Sequence, residues 1–66
     1  MRQMTHRERV TAHTEMVALA KWETRAWMAL ARSAETAAER AWAVNRVTFW
    51  FADLRWWQRE TRRIAA

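Results

Sequence analysis

The chain has 66 residues, a formal net charge of +5, six tryptophans, and no glycine, proline or cysteine. The missing cysteine excludes disulfides, thiolate metal sites and thiol catalysis. The missing glycine and proline exclude collagen, Gly-rich phosphate loops and turn-rich β-sandwiches. A chain this short buries only about 60% of its unfolded surface, so oligomerisation or a larger partner is the expected support.

The first ten residues, MRQMTHRERV, lack the apolar h-region of a signal peptide. No segment approaches the ~18 apolar residues of a membrane-spanning helix. The cytoplasm is therefore the expected compartment. Thr5 and Glu8 have the spacing of a capping box, and so do Thr36 and Glu39. With alanine, the best helix former, the commonest residue, these two starts predict one domain of two helices. They span 6–32 and 37–64, with a short linker over 33–36 that makes them antiparallel neighbours. If the linker were helical instead, one continuous rod of about 90 Å would need a partner along its length, as in an oligomer.

The first helix has one apolar stripe: His6, Val10, His13, Val17, Ala20, Thr24, Trp27 and Ala31 recur at steps of three and four. Met16, Met28 and Leu30 flank it. Leu19 and Trp22 fall off it and are expected to stay partly exposed. Ala31, Ala34, Ala38 and Ala41 continue the spacing with small side chains that permit close backbone approach.

The second helix is apolar on several sides. Val44, Val47, Phe51 and Leu54 form one stripe. Trp42, Phe49 and Trp56, seven residues apart, form another. Trp50, Trp57 and Ile64 form a third. A helix hydrophobic nearly all round is normally buried, and a two-helix hairpin covers only one side of it. Pairing of two hairpins into a four-helix bundle would cover the rest, most simply as a twofold dimer.

The expected fold is therefore all-α, an antiparallel two-helix hairpin associating into a four-helix bundle. The expected function is a non-enzymatic module that self-assembles or docks on another protein. Its contact residues are Trp42, Val44, Val47, Phe49, Trp50, Phe51, Leu54, Trp56 and Trp57, rimmed by Arg55, Arg59, Arg62 and Arg63. Tryptophan and arginine are enriched among binding hot spots. The same arginine–tryptophan mixture at the C-terminal end also suits a nucleic-acid strand or an anionic membrane surface.

No constellation calls for a cofactor, a metal or a catalytic step. His6 and His13 share a face and, mirrored in a dimer, could ligate zinc or haem through neutral imidazole, but they stand two turns apart, too far to bind one metal within a chain. Glu35 and Glu39 are an acidic pair with no pocket predicted between them. No opposite charges stand four residues apart, and Arg55, Arg59 and Arg63 repeat like charge at that step. An idealised bundle would carry complementary pairs there. With arginine far outnumbering lysine, the pattern fits a GC-rich gene or an artificial, library-selected chain.

Overall fold

The computed structural model describes residues 2–66. It contains two α-helices, α1 (His6–Ser33) and α2 (Ala37–Ala65), packed against each other as a hairpin. The chain leaves the helical path at Ala34, which rules out the continuous rod. At 28 and 29 residues and 1.5 Å rise per residue, each helix is about 43 Å long.

The caps explain both starts. At α1 the capping box is complete: Glu8 N–H donates to Thr5 Oγ1 (3.1 Å) and Thr5 N–H donates to Glu8 Oε1 (3.0 Å). At α2 only half of it forms. Glu39 N–H donates to Thr36 Oγ1 (3.0 Å), but the Glu39 carboxylate accepts from Glu35 N–H (3.1 Å), one residue outside the cap. That bond ties the turn to the helix it precedes. With no glycine, the turn avoids the left-handed conformation that commonly ends helices. Ala34 (φ −62°, ψ 135°) and Thr36 (φ −124°, ψ 158°) are extended instead, and no described residue has positive φ.

The interior is thin. Ala20, Ala43, Leu54 and Thr24 are the buried residues, and among the described residues no large side chain is fully buried. Interaxial distance follows the side chains at the contact, so Ala20 and Ala43 mark the close approach of the helices. The expected alanine series lies elsewhere: Ala38 and Ala41 are exposed, and Ala31 and Ala34 are half-buried. Thr24 is accommodated because its hydroxyl donates to the Ala20 carbonyl at 2.7 Å. Two edge-on ring contacts fix the register, His13 with Trp57 (5.1 Å) and Trp27 with Trp42 (4.8 Å).

The result is a plate one helix thick, 48 × 24 × 15 Å, with a radius of gyration of 15.2 Å. A compact domain of this length would have about 10.8 Å. A single layer of two helices has two broad flanks, and both carry apolar side chains.

Candidate interaction surface

The nine aromatic and aliphatic residues singled out on α2 divide three ways. Val47, Trp50, Leu54 and Trp57 turn toward α1, together with Ala43, and are buried or half-buried. The expected stripe of Val44, Val47, Phe51 and Leu54 is therefore split: Val44 and Phe51 lie on one flank, about half exposed. The opposite flank carries Trp42, Phe49 and Trp56, 59%, 54% and 46% exposed. A seven-residue step drifts only about 20° from two full turns, so the three rings form one line along α2.

Each outward ring on that line rests edge-on against an inward one. Trp42 meets Trp27 at 4.8 Å, Phe49 meets Trp50 at 5.3 Å, and Trp56 meets Trp57 at 4.8 Å. Edge-to-face pairing at these separations is favourable beyond area burial. It also holds the exposed rings in place, which lowers the ordering cost of any association they enter. Arg46 lies among them, its guanidinium 5.5 Å from the Trp27 ring and 5.6 Å from the Phe49 ring. Toward the turn the line ends in a pocket of about 340 Å³ walled by Leu30, Ala34, Trp42 and Ala43, with Glu35 and Glu39 at its edge. Trp22 is exposed on the far side of α1.

Sequence reasoning missed the indole partners, although their signal is local. Trp27 Nε1 donates to Glu23 (3.0 Å) and Trp57 Nε1 donates to Asp53 (3.1 Å), each one turn earlier. His13 sits against Trp57 with Nδ1 2.8 Å from the Arg9 carbonyl, and His6 is exposed. No three potential metal-ligating side chains cluster among the described residues.

Charge is segregated along the plate. The open end, opposite the turn, carries Arg2, Arg7, Arg9, Arg55, Arg59, Arg62 and Arg63 against Glu8 and Glu60. That balance of +5 is the net charge of the whole chain. Over residues 11–54 the five basic side chains are matched by five carboxylates. At the open end both carboxylates are engaged, Glu8 by Arg2 (2.8 Å) and Glu60 by Arg63 (2.6 Å). Arg63, though exposed, is thus engaged in an ion pair. The backbone N–H of Thr5, followed by the Arg2 guanidinium, holds the Glu8 carboxyl below its usual range. The hydrogen bond from Arg63 does the same for Glu60, which in turn raises Arg63.

Among the described residues no helix is long and apolar enough to cross a membrane. Compared with known proteins, the chain matches no family model, no curated protein and no solved structure.

Proposed function

We propose that the hairpin is a non-enzymatic self-assembly module whose Trp42–Phe49–Trp56 flank packs on a second copy to complete a four-helix bundle. The observation that carries this is area. A folded 8.0 kDa monomer is expected to expose about 4,450 Å². The hairpin exposes 5370 Å², a surplus of roughly 900 Å², close to the ~800 Å² that each partner contributes to a standard interface. Trp42, Phe49 and Trp56, each about half exposed, would each contribute on the order of 1 kcal/mol when covered. Together that is a large fraction of the total stability of a small domain, ~5 kcal/mol.

The geometry of the line suits a twofold axis. Trp42 and Trp56 stand seven residues on either side of Phe49. Two antiparallel α2 helices centred on Phe49 bring Trp42 against the partner's Trp56. They also bring Arg46 level with the partner's Ala52, one residue from its Asp53. An isologous interface requires this self-complementarity, and a surface shaped for an unrelated protein has no need of it.

Sedimentation over a micromolar concentration series tests the reading, with Trp42→Gln, Phe49→Gln and Trp56→Gln beside the parent chain. The expected result is a dimer whose helicity rises with concentration and which each substitution weakens. Trp22→Gln, on the far side of α1, leaves it unchanged. A stably folded monomer throughout the series, indifferent to all three substitutions, overturns the proposal. A defined complex with a different protein through the same three rings overturns the choice of a second copy.

A further inference from the structure

We propose that the open end of the hairpin is a binding site for a single nucleic-acid strand, with Arg7, Arg55, Arg59 and Arg62 on its phosphates and Phe51 beneath a base. The His13–Trp57 contact sets Arg7 of α1 level with the last turns of α2. Helical phasing at about 100° per residue then places Arg7, Arg55, Arg59 and Arg62 on one flank, the side away from Trp42 and Phe49. All four side chains are exposed, and none has a carboxylate within 4.0 Å among the described residues.

Helix electrostatics explain only part of this cluster. Cations near a helix C-terminus are favoured by the macrodipole, which accounts for Arg62. Arg7 lies in the first turn of α1, the end where the macrodipole disfavours a cation. Arg55 and Arg59 repel each other at i,i+4 and lie before the last turn. A multivalent anion converts this repulsion into binding. Guanidinium groups present forked donors to phosphate oxygens, and all four of these side chains are arginine.

Phe51 supplies the second element. It is half exposed on the same flank, with the Arg55 guanidinium 5.9 Å from its ring centroid. An aromatic ring beside an arginine run is how proteins hold unpaired bases while tracking the backbone. A helix that lies on a membrane carries its basic residues along its length. Here the net positive charge is confined to one end, because the five basic residues over 11–54 are balanced by five carboxylates, which favours a strand over a bilayer.

The test uses the full chain and a fluorescent oligothymidylate of roughly 20 nucleotides. Neutralising four phosphates at about −0.7 each predicts a log–log salt slope near −3, so affinity falls about 50-fold between about 50 and 200 mM salt. Arg55→Gln/Arg59→Gln/Arg62→Gln should cut the slope to about −1. Phe51→Ala should weaken binding at least about fivefold with the slope unchanged. Arg7→Gln, on the other helix, should lower the slope by about 0.7, and gives a readout should the triple variant fail to fold. Sedimentation of the same variants separates failure of this site from failure of self-association. Absence of binding at about 50 mM salt, or binding unaffected by the arginine substitutions, overturns the proposal. So does heparin binding as tight as the oligonucleotide with Phe51→Ala silent. A tryptophan blue shift on anionic vesicles without oligonucleotide binding assigns the patch to a membrane and also overturns it.

Discussion

Trp50 follows Arg46 by one helical turn, and its buried indole nitrogen has no hydrogen-bond acceptor among the described residues. The two other inward tryptophans have an acidic residue at that step, Glu23 for Trp27 and Asp53 for Trp57. At Trp50 the same place is taken by a cation whose guanidinium lies over the Trp27 and Phe49 rings instead. A buried donor left unpaired costs about 1–3 kcal/mol, so the cation–π contacts coexist with an unmet local demand.

Arg46→Gln and Arg46→Met separate the two effects. Both remove the guanidinium, and only glutamine offers a carbonyl one turn before Trp50. Arg46→Gln is expected to be more stable than Arg46→Met by about 1 kcal/mol in urea unfolding. Equal stability would mean that the indole nitrogen gains nothing from an acceptor there.

The close approach at Ala20 and Ala43 makes a second prediction. Both alanines are buried, so a larger side chain has to push the helices apart. Ala43→Leu is expected to destabilise the hairpin by about 1–3 kcal/mol, the usual cost of overpacking. Ala41→Leu, two residues away on the exposed surface, should stay within about 0.5 kcal/mol of the parent chain. Thermal unfolding of the two variants side by side checks the contrast.

That close approach also shows where the sequence was legible. Helix starts depend on residues three apart, so Thr5 with Glu8 and Thr36 with Glu39 can be read directly. The seven-step line of Trp42, Phe49 and Trp56 is likewise a property of one helix. Which side of α2 faces α1 is not. Hydrophobicity ranks the Val44–Phe51 side as highly as the Trp50–Trp57 side, and the choice falls to the smallest residue, Ala43, whose apolar signal is weak. The half-formed box at Thr36 has a similar origin: the turn offers Glu39 the amide of Glu35. The charge segregation could be counted along the chain, but it becomes one surface only when the hairpin brings residues 2–10 beside 55–66.

Acid should weaken the open end first. Glu8 and Glu60 have native pKa values below their ordinary ones, through Thr5 and Arg2 and through Arg63 respectively. A depressed carboxylate contributes stability that is fully present above the unfolded value, about 4.3, and lost as pH falls through the native value. Helicity should hold from about pH 7 to pH 5 and decline below that. Glu8→Gln preserves a side chain able to cap while removing the titration, and should flatten the decline. Circular dichroism against pH, parent beside variant, measures it; an unchanged acid profile in both Glu8→Gln and Glu60→Gln would contradict the assignment.

Charge segregation also selects the orientation of a dimer. Stacking two plates in parallel brings two clusters of +5 together at one end, within a few screening lengths of about 8 Å. Stacking them antiparallel puts the clusters at opposite ends of a plate 48 Å long. It also matches the Trp42–Phe49–Trp56 line to its own reverse. The chain has no cysteine, so Ala34→Cys, in the turn, accepts a single spin label per copy. In an antiparallel dimer the two labels stand apart by a distance close to the 48 Å length of the plate; in a parallel one they lie within its 24 Å width. Double electron–electron resonance distinguishes these distances. A dominant short distance that persists at low salt, where repulsion between the basic ends is strongest, would show that side-chain packing and not charge sets the orientation.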